Sequence, residues 1–236
     1  MGRQWLHSKR EVNANKRAKI TSKLVREITV AAKMGVADPA MNPRLAMAVE
    51  AARKQSVSND VIQRAIKKGS GEGDEGVSYE TIVYEGMAPH NVAVLVECMT
   101  ENRNRTGSDV KSLFKGGQFG SKVTFLFDHV GVVEATHEDG RKDLEEAAIE
   151  AGAQDVEPLE ELPEGQSGGR FLTEIKDLYA VADALRGAGW SVATAELGYV
   201  AKDPVHLEGE ARAEVEAFLE KLDDHDDVQK LHVALK

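Results

Sequence analysis

The stretch GSGEGDEG, residues 69–76, divides the chain into two parts that obey different hydrophobic periods. Its glycines and acids suit a flexible linker. It lacks the Gly-Lys-Ser/Thr ending and the preceding strand of a nucleotide-binding loop. Ahead of it apolar residues recur at helical spacing, and behind it strand-like and helix-like runs alternate. A chain of 236 residues has room for two or three domains. The pattern therefore restricts the fold to a helical domain followed by α+β structure.

In the first part Ile20, Leu24, Ile28 and Ala32 form one stripe, and Lys16, Lys19, Lys23, Arg26 and Lys33 occupy other positions of the same helix. This helix should end at Gly35. A second begins with Asn42 as N-cap and Pro43 at the first helical position, and Leu45, Val49 and Ala52 make its inner face. In a third, Ser58 can cap, Val57 and Ile62 can form a hydrophobic staple, and Gly69 ends the helix. Lys67 and Lys68 then lie in the last turn, where the helix dipole favours cations.

The charge changes sign at the same boundary. Residues 1–70 hold 15 Lys/Arg and 5 Asp/Glu, a net +10, and residues 71–236 hold 15 and 35, a net −20. A basic arm on an acidic body suits contact with a polyanion through the arm, or serves simply to keep the chain in solution.

Beyond the linker, YETIVYEG and NVAVLVEC read as strands around the turn GMAPHN, and a helix is expected over 107–115. Strands follow at 122–128 and 131–136, a helix at 143–152, strand GRFLTEI, helix KDLYAVADALRGAG and strand WSVATAEL. A helix over 209–222 and a strand over 228–235 close the chain. Strand 91–98, helix 107–115, strands 122–128 and 131–136, helix 209–222 and strand 228–235 have the order βαββαβ of a ferredoxin-like domain. The expected domains are thus a basic helical domain, 1–72, a ferredoxin-like α+β domain, 77–138 plus 206–236, and a smaller acidic α+β domain inserted at 139–205. A consecutive partition, with the last helix and strand in the third domain, is the alternative.

Three motifs bear on function. In VECMTENRNRT, residues 96–106, a strand leaves through Asn102, Arg103, Asn104, Arg105 and Thr106. Thr106 and Asp109 have capping-box spacing. Arg103 and Arg105 are disfavoured by the dipole at a helix N-terminus, so they pair with an acid such as Glu85, Glu97 or Glu101, brace the loop by hydrogen bonds, or contact phosphate. FKGGQFGSK, 114–122, follows a helix, so its glycines suit a C-cap and turn better than a phosphate cradle. LDDHDD, 222–227, lacks the Gly and distal Glu of an EF-hand loop and suits a polar turn. The histidines have no ligand spacing, and no nucleophile stands beside a base, so neither catalytic residues, a metal nor a cofactor is expected. Cys98, the single cysteine, precludes an internal disulfide.

KITSKLVREITVAAKMG, DPAMNPRLAMAVEAARKQSVSNDVIQRAIKKGSG, YEGMAPHNVAVLVECMTENRNRT and FLFDHVG together resemble the YebC/PmpR family, which includes the mitochondrial translational activator of cytochrome oxidase. The resemblance covers nearly the whole chain. It implies an N-terminal helical domain, two α+β domains with one inserted in the other, and a non-enzymatic regulator of gene expression. The family's usual Gly-His-Ser-Lys-Trp start is replaced here by GRQWLHSKREV, and the glycine-rich stretch before KVTFLFD is shorter.

The expected role is a ribosome-associated translation factor contacting ribosomal RNA. The alternatives are a DNA-binding transcriptional regulator at promoters and an acidic protein-interaction module. The residues expected at nucleic acid are Lys9, Arg10, Lys16, Arg17, Lys19, Lys23, Arg26, Lys33, Arg64, Lys67 and Lys68, with Asn102, Arg103, Asn104 and Arg105. A cytoplasmic monomer is expected, without small-molecule substrate or membrane partner: no run reaches the roughly 20 apolar residues of a membrane span, and the start lacks a secretory apolar region.

Overall fold

The computed structural model describes residues 4–71, 79–159 and 162–236, with side chains from Arg17 onward. Three helices come first: α1 (Gln4–Met34), α2 (Pro43–Lys54) and α3 (Asn59–Ser70). Asn42 caps α2 as expected, its Oδ1 accepting from Leu45 N at 3.2 Å. Its Nδ2 donates to Ala31 O and Val36 O, both at 2.9 Å, so one carboxamide starts α2 and closes the end of α1. Ile28, Leu45, Ala48, Ala52, Ile62 and Ile66 are buried together, with Leu24 packed beside them. Ile20 is 43% exposed, so the α1 stripe enters this core only in its C-terminal part.

At α3, Ser58 occupies the cap position but makes no side-chain bond, while Val57 and Ile62 are buried as the staple requires. The helix runs past Gly69 to Ser70, and its C-cap is Gly71 at φ +82°. Gly69 serves packing instead: a Cβ there would meet the Thr29 carbonyl oxygen and lie 2.7 Å from Ala32 Cβ. Residues 72–76 of the expected linker lie outside the described residues.

The remaining elements are β1 (Glu80–Met87), β2 (Ala93–Thr100), α4 (Arg103–Leu113), β3 (Gln118–Phe119), β4 (Phe127–His137), α5 (Leu144–Ala151), β5 (Asp155–Pro158), β6 (Ser167–Thr173), α6 (Leu178–Gly187), β7 (Ser191–Ala201), α7 (Gly209–Asp223) and β8 (Val228–Val233). They form two four-stranded sheets, ordered β3-β1-β2-β8 and β5-β6-β4-β7. In β2 every residue except Glu97 is buried, the near-continuous apolar run of a strand covered on both faces.

The α+β class with a helical N-terminal region is as expected; strand membership differs. The expected strands 122–128 and 131–136 are a 3-10 turn, Thr124–Leu126, followed by the single strand β4. Gly131, which resembles a break, pairs with Thr173 on one side and Leu197 on the other. A Cβ at Gly131 would meet Thr173 Oγ1 and crowd Leu178, so the glycine marks a close approach within the sheet. β4 hydrogen-bonds to β6 and β7, not to β2. The order βαββαβ is accordingly realised by β4-α5-β5-β6-α6-β7, and β1 and the short β3 join β2 and β8.

The chain forms two compact units. One contains the helical segment through Tyr84 with Val96–Lys115 and Ala217–Leu231; the other contains Glu85–Leu95, Gly116–Glu216 and His232–Lys236. In the second, α6 buries Leu178, Val181 and Leu185, and Phe171 meets Trp190 edge-on with ring centroids 5.5 Å apart. Among the described residues no helix is long and apolar enough to cross a membrane.

Candidate nucleic-acid interface

The Asn-Arg loop that follows β2 is built around a helix start four residues earlier than expected. Asn102 has extended backbone, φ −138°, and its Oδ1 accepts from Arg105 N at 3.1 Å, so α4 begins at Arg103. Thr106 therefore lies inside the first turn and forms no capping box with Asp109. Its hydroxyl is fully buried, donates to Asp227 Oδ2 at 2.7 Å and lies 2.7 Å from Thr100 Oγ1.

Asp227, 5% exposed, organises the loop from the other end of the chain. Its Oδ2 also accepts from Arg105 Nη2 at 2.9 Å, and its Oδ1 lies 3.5 Å from Arg26 Nη1. Arg26 donates further to Asp226 O at 2.7 Å and Met99 O at 3.1 Å. The Asp227 backbone is held by Met99 N, which donates to its carbonyl at 2.8 Å, and by His225 Nδ1, which accepts from its N–H at 3.1 Å. Burial alone would raise the Asp227 pKa; the bonds from Thr106 and Arg105 and the charges of Arg105 and Arg26 outweigh it and hold the carboxyl below its ordinary 3.8.

The two arginines thus separate. Arg105 pairs with Asp227 and not with Glu85, Glu97 or Glu101. Arg103 is exposed; its carbonyl accepts from Tyr84 Oη at 3.2 Å, and its guanidinium has no ion-pair partner among the described residues. Asn104 beside it is exposed as well. Arg105→Ala should lower the thermal midpoint, whereas Arg103→Ala should leave it in place. Scanning fluorimetry of the two variants checks this, and equal midpoints would remove the distinction.

The basic face of α1 is likewise partly engaged. Lys19, Lys23 and Arg26 share a face at helical spacing and meet the turn 223–227. Lys19 Nζ lies 2.7 Å from Asp224 Oδ1, and Lys23 Nζ lies 2.7 Å from Asp223 Oδ1. The bond to Asp224 is the main reason that the Lys19 pKa is raised. The carboxylates of Asp223, Asp224 and Asp227 diverge toward separate cations, and among the described residues no group of three or more His, Cys, Asp or Glu could hold a metal ion.

Of the other expected contacts, Arg17, Lys33 and Lys67 are exposed. Arg64 Nε donates to Asp60 O at 3.2 Å. Lys68 Nζ and the Arg26 guanidinium carbon each lie 5.4 Å from the centroid of the Tyr79 ring. The side chains of Lys9, Arg10 and Lys16 lie outside the described residues. Arg53, which sequence reasoning passed over, is exposed in the last turn of α2. Asp223, Asp224 and Asp227 were also not linked to the basic face. Their signal was sign complementarity with Lys19, Lys23 and Arg26, but it carries no pairing across 200 residues.

The glycine-rich loop has φ +97° at Gly116 and +81° at Gly120, which suit the turn reading. Between them, β3 pairs Phe119 with Gly86. Glu85 Oε2 accepts from Val123 N at 2.8 Å, Thr124 N at 3.0 Å and Thr124 Oγ1 at 2.7 Å. An internal carboxylate thus fills the anion position that these donors offer, and the Thr124 hydroxyl is the main cause of its lowered pKa.

These features define an α+β protein with a basic helical N-terminal region, and comparison with known proteins identifies the family. The model "TACO1/YebC protein N-terminal domain" matches residues 3–72, and "TACO1/YebC second and third domain" matches residues 79–235. The chain belongs to the TACO1/YebC family. A protein of Pseudomonas fluorescens, named a probable transcriptional regulatory protein, is 50% identical over 100% of this chain and 99% of its own. A protein of the same description from Bdellovibrio bacteriovorus is 45% identical over the full length of both. The crystal structure of a conserved hypothetical protein from Aquifex aeolicus superposes with a TM-score of 0.84 at 37% identity, covering 94% of this chain and 90% of that one.

Proposed function

We propose that the protein is a non-enzymatic regulator of gene expression that binds nucleic acid through its basic helical region, with ribosomal RNA as the target. It acts in the cytoplasm as a monomer and needs no cofactor. The observation that carries this reading is the surplus of cations in residues 1–70, net +10, of which Arg17, Arg53 and Lys67 stand exposed. Arg103 and Asn104 offer a second exposed contact, a guanidinium fork beside a carboxamide. A body of net −20 opposes bare duplex DNA but can rest against basic ribosomal proteins while the arm holds RNA. The names of the relatives favour a second reading, a DNA-binding regulator at promoters.

Co-sedimentation with ribosomes at near-physiological salt tests the first reading. Protein that stays at the top of the gradient would refute it, and a gel shift that prefers one duplex over its scrambled form would establish the second. In either case Arg53→Ala, Lys67→Ala and Arg103→Ala should each flatten the slope of log K against log salt by about 0.7–0.9 if the residue meets a phosphate. Unchanged slopes in all three would move the contact elsewhere.

A further inference from the structure

We infer that the acidic turn 223–227 is an intramolecular competitor for the polyanion. It occupies the cationic face of α1 in the free protein and must be displaced, in part, before Lys19 and Lys23 can hold phosphate. This rests on the nucleic-acid reading above and adds to it a regulated access to the site.

The turn resembles a short stretch of nucleic-acid backbone in charge. Asp223, Asp224 and Asp227 are set against Lys23, Lys19 and Arg26, which follow one another along about two turns of helix. Carboxylate oxygens sit 2.7 Å from each lysine nitrogen, the position that a phosphate oxygen would take. Backbone carbonyls add to the mimicry: Asp224 O lies 3.1 Å from Lys19 Nζ and Asp223 O 3.2 Å from Lys23 Nζ.

The three pairs differ in the property that decides which can open. At Arg26 and Asp227 the side chains are 16% and 7% exposed, and Arg105, Thr106, Met99 O and Asp226 O share the bonding. Opening this end would strand a buried charge. At the other two pairs the aspartates are 61% and 69% exposed, so water and salt already screen them. The contact thus has a fixed end at Arg26 and a labile end at Lys23 and Lys19. Two exposed pairs together change an equilibrium constant by a factor of roughly 2 to 30. That suffices to weaken binding to loose polyanion without blocking a target that makes several contacts.

The test compares full-length wild type with the double variant Asp223→Asn, Asp224→Asn by anisotropy of labelled poly(U) over a salt series. A control variant, Glu150→Gln with Glu210→Gln, removes the same charge at exposed positions elsewhere. The aspartate variant should bind roughly 2 to 30 times more tightly than wild type, with a salt slope steeper by up to about 1.4, and the control should show neither change. Adding Lys19→Gln and Lys23→Gln to the aspartate variant should abolish the gain. If wild type binds and the aspartate variant binds equally, or the control gains as much, the competitor is refuted and the nucleic-acid reading stands. If no variant binds even at low salt, both fall. A matching thermal midpoint for wild type and the aspartate variant shows that the affinities compare folded proteins.

Discussion

Asp227→Ala is expected to lower the unfolding free energy by about 3–5 kcal/mol, the range for removing one partner of a buried charge pair. The substitution removes the acceptor of the buried Thr106 hydroxyl and the carboxylate facing Arg26, whose side chain is itself only 16% exposed. Asp227→Asn keeps the shape and an acceptor oxygen but not the charge, so its loss should be intermediate. Urea titration measures both, and a loss under about 1 kcal/mol for the alanine variant would mean that the Asp227 cluster is peripheral to stability. The same carboxylate sets an acid limit. Its folded pKa is held below its ordinary 3.8, so its stabilisation is present above pH 3.8 and lost as pH falls through the lower folded value. Asp227→Asn should therefore unfold with a weaker dependence on pH below about 4 than wild type does.

Gly69→Ala is the second large effect, and here two terms oppose. In a helix interior alanine is favoured over glycine by about 1 kcal/mol, and less in the last turn, where residue 69 lies. Against this, the new methyl would strike the carbonyl oxygen of Thr29 and come within 2.7 Å of Ala32 Cβ. The carbonyl belongs to the backbone of α1 and can yield only if the helices separate, a strain of about 1–3 kcal/mol. Strain should win, with a net loss of about 1–2 kcal/mol. Gly187→Ala at the end of α6 isolates the propensity term, because nothing lies within 4 Å of the added Cβ. It should be neutral or slightly stabilising, and equal losses in the two variants would refute the packing account.

Much of the helical region was legible because its signals are local. Asn42-Pro43, the Val57/Ile62 staple and the apolar stripe each act within one or two turns, and the structure places them accordingly, apart from Ile20 at the exposed start of the stripe. The Asn-Arg loop was legible only in part. Asn102 and Thr106 are both competent cap residues four positions apart, and choosing between them required knowing that Thr106 is taken by a carboxylate 121 residues away. The expected break between strands 122–128 and 131–136, next to Gly131, is absent for a related reason. Glycine marks turns and close approaches alike, and only the position of Thr173 and Leu178 distinguishes the two.

By itself the sequence determined the helical-then-mixed organisation, the basic arm on an acidic body and the family resemblance. These follow from periodicity, charge and motif, which need no partner. Only the tertiary structure decided which strands share a sheet and which cations are already engaged. Strand pairing and ion pairing depend on contacts between distant residues. Asp223, Asp224 and Asp227 take up Lys23, Lys19, Arg26 and Arg105, and Arg103 is left facing solvent.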